Sequence, residues 1–270
     1  MPITDWDDAY ANAAYIPDGE RIAASWLERA PAFRERHPPE VLPYGVSTRQ
    51  VVDVFRSKQA AQGLLFFVHG GYWMAFSGRD FSHLAEGAMA LGYAAALPSY
   101  TLAPDATIAE ITEEVARGIA VAAAELDGPI ILTGHSAGGH LVTRMMCEGV
   151  LPEEVAARVA HVVSISGVHD LRPLLNTRMR EPLQLNDANV LHDSPALQRP
   201  RGGTKVTCVV GTEERPEFLR QTDLLANIWT GLGAETRAVH LDGENHFSII
   251  DGLSRPDSGL TKLIVGHWSS

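Results

Sequence analysis

Short apolar runs alternate along this chain with segments whose apolar residues recur every three or four positions. Residues 50–56, 63–68, 93–97, 129–132, 161–166, 205–210 and 234–241 are brief and rich in Val, Ile, Leu, Phe and Ala, and they read as strands. Between them Ile108, Ile111, Val115, Ile119 and Ala122 form a stripe, with Glu110, Glu113, Glu114 and Arg117 on the other side. That is an amphipathic helix packing on a sheet. Residues 80–91 and 139–146 read as further helices. Regular alternation of the two periods predicts an α/β fold with a mostly parallel central sheet. No repeat, low-complexity tract or linker interrupts it, so residues 1–270 are expected to form a single domain. Two stretches fit neither period. Residues 1–45 carry Trp6, Tyr10, Tyr15, Trp26, Phe33 and a Pro38-Pro39 stop, and 171–204 carry Pro173, Pro182, Pro195 and Pro200. They are expected to be an N-terminal extension and a cap segment that help shape a pocket.

Within this pattern one turn carries chemistry. The run ending at Leu132 leads into Gly134-His135-Ser136-Ala137-Gly138, and a helical segment leads out. Strand, sharp turn and helix are what a G-x-S-x-G nucleophile elbow needs. Small residues beside Ser136 permit a strained backbone and close strand–helix approach, and the helix N-terminus aims free N–H groups at the serine.

A serine needs a base, an orienting acid and an oxyanion hole. His69-Gly70-Gly71-Tyr72-Trp73 directly follows the apolar run 63–68. Glycines just past a buried strand expose N–H groups, so Gly70 and Gly71, with the N–H of Ala137, are candidate oxyanion donors. Tyr72 and Trp73 beside them are candidates for contacting a substrate's aryl group. Of eleven histidines, His246 alone combines a late position with a turn-rich loop (Asp242-Gly243-Glu244-Asn245) following the last strand. His240 falls within that strand, His135 and His140 flank the serine, and His267 is near the C-terminus. The acid is expected after the run 205–210, where no aspartate occurs. Glu213, Glu214 and Glu217 compete there, with Asp242 as a rival on the histidine loop.

His69-Gly70-Gly71-Tyr72-Trp73, the segment 134–141 around Ser136, Ser166-Gly167-Val168-His169-Asp170-Leu171-Arg172-Pro173-Leu174 and the segment 211–221 together resemble the kynurenine formamidase (arylformamidase) branch of the α/β-hydrolases, from about residue 40 to about 250. The resemblance implies the α/β-hydrolase fold, with helices on both faces of the sheet, and a metal-independent serine hydrolase acting on an aryl formamide or related ester. It also implies an acid three residues after the glycine of a G-x-x-D-x-P-E-F-type segment, which is Glu214 here. The departure is glutamate in place of the branch's usual aspartate, which bears on the exact substrate.

Composition narrows the classes. A net charge of −11 argues against nucleic-acid or anionic-membrane partners. No apolar run approaches the ~20 residues of a membrane span. The acidic start at Met1-Pro2-Ile3-Thr4-Asp5 has neither the basic nor the apolar region of a signal peptide, so a cytoplasmic location is expected. Cys147 and Cys208, the two cysteines, read as buried thiols rather than a disulfide. No H-E-x-x-H, C-x-x-C or Walker A pattern is present, so no metal or cofactor is expected, and the expected partner is a small-molecule substrate, with a homodimer left open. A broad carboxylesterase uses the same machinery. A non-catalytic ligand receptor on this scaffold typically loses a triad member, whereas all three positions can be filled here.

Overall fold

The computed structural model describes residues 3–56 and 60–266; Met1, Pro2 and His267 lie outside the described residues. Eight strands form one sheet: β1 (Glu40–Pro43), β2 (Val51–Phe55), β3 (Leu64–Val68), β4 (Ala94–Pro98), β5 (Ile130–His135), β6 (Val159–Ile165), β7 (Lys205–Gly211) and β8 (Glu235–Leu241). Their order is β1-β2-β4-β3-β5-β6-β7-β8. β1 and β2 pair antiparallel, as do β2 and β4, and every later pairing is parallel. The chain runs from β3 outward to β4, then crosses back over β3 to β5. That reversal opens a crevice beyond the carboxyl ends of β3 and β5, where ligands bind in open α/β sheets.

β3 explains why the sheet is covered on both faces. Its five residues, Leu64 to Val68, are each 0–2% exposed, and such burial contributes on the order of 2 kcal/mol per residue. Leu64, Phe66 and Val68 enter one apolar cluster with Ile108, Ile111, Val115, Leu141, Phe218 and Trp229. Leu65 and Phe67 enter another with Trp26, Phe33, Ala85, Leu260 and Ile264. Successive residues of a strand point to opposite faces, so the helices Ile108–Glu125, Ala137–Arg144 and Pro216–Gly231 pack on one side, and Gly19–Arg36, Ala85–Ala90 and Gly259–Val265 on the other. Helix Ile108–Glu125 starts at a capping box, in which Thr107 Oγ1 accepts from the Glu110 N–H and Glu110 accepts from the Thr107 N–H. Cys147 and Cys208 are free and buried. Among the described residues no helix is long and apolar enough to cross a membrane.

The two irregular stretches fold differently. Within 1–45 lies an 18-residue helix, Gly19–Arg36, whose Trp26, Ala30 and Phe33 are buried. Residues 171–204 form short turns of helix, Arg172–Asn176, Arg178–Arg180, Asp187–Asp193 and Pro195–Leu197. These set Leu171, Leu174, Leu183, Leu185 and Val190 into the cluster on the Ile108–Glu125 side.

Four buried histidines give the fold an acid limb. Desolvation holds His69 down at about 4 and His83, His140 and His169 down at about 3. In the unfolded chain each titrates near 6.5. Because the folded values are depressed, the stabilisation is complete above pH ~6.5 and is lost as the pH falls toward the folded values, by up to about 1.4 kcal/mol per pH unit for each ring. Urea midpoints measured from pH 7 to 5 should therefore fall steeply. His83 is the clean probe, since neither of its ring nitrogens is bonded. Averaged from pH 7 to 5, His83→Leu should make the acid slope shallower by about 0.9 kcal/mol per pH unit, approaching about 1.4 only at the acid end, and an unchanged slope would mean that His83 titrates normally in the folded state.

Candidate active site

The turn after β5 is where the backbone is forced. Ser136 sits at φ 56°, ψ −116°, a conformation that costs a non-glycine residue about 1–3 kcal/mol. The surroundings hold it there. The Ser136 N–H donates to the Ile165 carbonyl at 2.8 Å, and the Ser136 carbonyl accepts from the His140 N–H at 3.2 Å. Gly138 lets the helix press against the neighbouring strand, since a Cβ there would lie 2.0 Å from the Val68 carbonyl oxygen. Ala137 is the first residue of the helix Ala137–Arg144, so its N–H has no intrahelical acceptor.

His246 follows β8 on the loop that closes over this edge and is buried. Its Nδ1 lies 2.7 Å from Glu214 Oε2. A carboxylate can only accept, so Nδ1 carries the proton and Nε2 is left as the basic nitrogen. Glu214 lies just past β7 in a turn. Its Oε1 accepts from Ser166 Oγ at 2.5 Å and from the Gly211 N–H at 3.0 Å. The rivals go elsewhere. Glu213 is solvent-exposed, and Asp242, also exposed, meets Thr212 Oγ1 at 3.5 Å. Glu217 is buried in a network of its own, accepting from Tyr10 Oη at 2.9 Å, Gln221 Nε2 at 2.8 Å, and Nε and Nη2 of Arg220 at 2.8 and 2.7 Å. His240 pairs with Asp223 on the protein surface.

Ser136 and His246 share one cavity of about 110 Å³ with Gly70, Gly71 and His135. Its walls are apolar: Ala23, Trp26, Tyr72, Ala75, Phe76, Phe81 and Phe247. Gly71 has φ 109°, outside the usual range of a side-chain-bearing residue. A Cβ on Gly70 would stand 3.0 Å from the Ser136 Cβ, which measures how closely the two turns approach. The Gly70 carbonyl accepts from His69 Nδ1 at 2.7 Å, and the His69 ring stacks on Tyr100 with centroids 4.3 Å apart.

Tyr72 lines the cavity, its hydroxyl donating to the Tyr10 carbonyl at 2.7 Å and accepting from Asn12 Nδ2 at 3.3 Å. Trp73 does not line it. At φ 59° it turns into the core, 1% exposed and edge-on to His140 at 5.1 Å, so the expectation that it contacts substrate is corrected: burial of a large indole outweighs its place in the sequence. The cap expectation divides in the same way. Residues 1–45 reach the cavity through Ala23 and Trp26, whereas no residue of 171–204 lines it.

Several contributors have places in the site that the sequence does not mark, although the segment opening at Ser166 is one of those that carry the resemblance. Ser166 is held at φ 52°, which presents its hydroxyl to Glu214. His135 sits beside the serine, donates from Nε2 to the His246 carbonyl at 2.8 Å, and is held neutral by burial and by the neighbouring His246. Phe76, Phe81 and Phe247 come from three separate segments, and only the fold brings them to one cavity.

The fold and this site define an α/β-hydrolase. The chain matches the model of the Alpha/beta hydrolase family over residues 65–266, and it belongs to that family. It is 26% identical to the kynurenine formamidase of Danio rerio over 83% of this chain and 80% of that protein. To the kynurenine formamidase of Drosophila melanogaster it is 29% identical, over 80% of this chain and 77% of the relative. Within the family it therefore falls in the arylformamidase-like branch. A crystal structure from Silicibacter sp. TM1040, assigned as a thioesterase, superposes with a TM-score of 0.92 at 43% identity, covering 96% of this chain and 98% of that one. An esterase of Pyrobaculum calidifontis shares the fold at a TM-score of 0.71 and 16% identity, over 91% and 89% of the two chains.

The forced turn is testable by itself. Ser136→Gly removes about 1–3 kcal/mol of backbone strain and adds about 0.5–1 kcal/mol of unfolded-chain entropy. The variant should unfold at a higher urea concentration than wild type, with a net gain of about 1 kcal/mol. A midpoint below that of wild type would mean that Ser136 is not strained.

Proposed function

We propose that this chain is a serine hydrolase that cleaves a small, uncharged acyl group from an aryl formamide or an ester through an acyl-enzyme. The observation that carries the reading is the 2.7 Å Nδ1–Oε2 contact of His246 and Glu214 on the wall of the cavity that holds a strained Ser136. Ser136 Oγ attacks the carbonyl carbon as its proton passes to His246 Nε2. Glu214 keeps the Nδ1–H tautomer and stabilises the imidazolium. The carbonyl oxygen becomes an oxyanion that accepts from the N–H groups of Ala137 and of Gly70 and Gly71, each such donor being worth about 3 kcal/mol in the transition state. His246 returns the proton to the leaving nitrogen or oxygen, that bond breaks, and the acyl group stays on Ser136. Water, deprotonated by the same imidazole, then releases the acid.

The cavity supports a small acyl group. At about 110 Å³ it is smaller than the ~150 Å³ apolar cavity that takes up benzene. It fits formyl to butyryl, with the aryl leaving group toward its mouth and Tyr72 on its wall. Among its lining residues none carries a fixed charge. That absence favours a second reading beside the formamide, a carboxylesterase or thioesterase acting on short simple acyl esters, in keeping with the assignment of the Silicibacter relative.

A fluorophosphonate should add one adduct to the intact mass of wild type and none to Ser136→Ala, whereas equal labelling of both would remove Ser136 from the role. Glu214→Gln keeps the shape and removes the charge, and should lower kcat about 1,000- to 10,000-fold. Glu213→Gln, at an exposed position, should stay within a few-fold of wild type. If Glu213→Gln were the crippled variant, the assignment would be wrong by one residue. With N-formylkynurenine and p-nitrophenyl esters of increasing chain length, kcat/KM should be high from formyl to butyryl and fall more than about ten-fold by octanoyl, the cavity having no room for the extra methylenes. A rise toward octanoyl would overturn the size argument.

A further inference from the structure

A second cleft opens at the far end of the helix that starts beside Ser136. The helix Ala137–Arg144 ends at Arg144, on the order of 10 Å along the axis from the elbow at 1.5 Å per residue. Arg144, with Ala109, Glu113, Glu148, Val150 and Asp193 among its neighbours, lines a cavity of about 260 Å³. It shares no lining residue with the cavity of Ser136.

Arg144 is the anomaly. It is 5% exposed, yet among the described residues no carboxylate oxygen lies within the 4.0 Å of an ion pair, and its Nε has no hydrogen-bond partner. The polar side chain it does meet is the Cys147 thiol, a weak acceptor. The carbonyl end of its own helix supplies only about half a counter-charge. A buried guanidinium without a carboxylate is costly. Nε alone among its nitrogens is sealed off without a partner, which leaves the terminal amino groups of the fork to the open cavity that Arg144 lines, and their spacing matches a carboxylate.

The rest of the wall restricts that ligand. Glu113 and Glu148 are exposed beside the cavity, and Asp193 is buried with His192 Nδ1 2.8 Å from its carboxylate. Glu113 has only a loose partner, Arg117 at 3.9 Å. These carboxylates repel a plain polyanion and attract an ammonium. A molecule with a carboxylate for Arg144 and an ammonium for the rim satisfies both. The volume lies just under the ~300 Å³ at which drug-sized sites begin, which suits one amino acid, and Ala109 and Val150 give its side chain an apolar surface. We infer that the Arg144 cleft is a binding site for a zwitterionic α-amino acid, separate from the hydrolytic cavity.

The test uses the full-length protein with Ser136 blocked by a fluorophosphonate, so that occupancy of the first cavity does not contribute. Thermal shift and calorimetry are run with L-alanine, L-leucine and L-phenylalanine, and with inorganic phosphate. Two half-ligands complete the set: 3-phenylpropionate, which lacks the ammonium, and L-phenylalaninamide, which lacks the carboxylate. At least one amino acid should bind saturably, and each half-ligand at least about ten-fold more weakly, since each forfeits a charge-assisted contact. Arg144→Met should weaken binding about ten-fold or more and Glu148→Gln about three-fold, the latter being a more exposed contact. Should Arg144→Met fail to fold, the exposed Glu148→Gln and the half-ligands decide the matter. No binding by any amino acid, binding that survives both variants, or phosphate and 3-phenylpropionate binding as well as the amino acid would each overturn the inference.

Discussion

The left-handed backbone at Ser136 is the constraint on which the site depends. One residue must join the end of β5 to the start of a helix with almost no chain between them. Ser136 makes that join at φ 56°, ψ −116°. The cost, about 1–3 kcal/mol, is met by contacts available only inside a completed fold. Ser136 N–H donates to Ile165 of the adjacent β6, and Gly138 packs against the Val68 carbonyl of β3 on the other side. The turn is therefore pinned by the two strands that flank β5.

The same argument locates every other participant. β3, β5, β6 and β7 end along one edge because they are parallel, and each releases one turn of the candidate site there: Gly70-Gly71 after β3, Ser136 after β5, Ser166 at the end of β6, Glu214 after β7. β8 delivers His246 on its exit loop. That loop is tied back by the bond from His135 Nε2 to the His246 carbonyl, so the residue preceding the serine fixes the height of the histidine. His135 suits this task because it is neutral when buried and offers a single N–H donor without a second charge beside His246. The buried polar network of Tyr10, Glu217, Arg220 and Gln221 acts at one remove. It anchors the N-terminal segment, whose Tyr10 carbonyl in turn holds the Tyr72 hydroxyl at the cavity wall.

How much of this was legible in the sequence follows from the range of the forces involved. The strands were legible because burial on both faces writes continuous apolar runs such as Leu64 to Val68. Helix Ile108–Glu125 was legible because its stripe and its Thr107–Glu110 box are local. The helix Gly19–Arg36 was not, since Pro31 inside it breaks the local pattern and its hold on the fold comes from Trp26 and Phe33 packing on distant residues. Trp73 was misjudged for a related reason. Its neighbours along the chain are site residues, but its backbone conformation turns the indole into the core, and no sequence feature marks a positive φ on tryptophan. The cavity walls from Phe76, Phe81 and Phe247, and the carboxylate's partner Ser166, are products of tertiary contact alone.

The glutamate at position 214 is where local geometry and chemistry meet. The chain leaves β7 at Gly211 and turns back within three residues, so the carboxylate accepts the N–H of the glycine that ends its own strand. A shorter aspartate on the same turn would have to bring its backbone nearer to His246 to keep the 2.7 Å contact. The added methylene covers that distance instead, at the cost of one more rotor to fix. Ser166 Oγ and the Gly211 N–H supply the fixing, both on Oε1, and they leave Oε2 to the imidazole alone. Two donors on one oxygen and one on the other orient the carboxylate plane as well as its position.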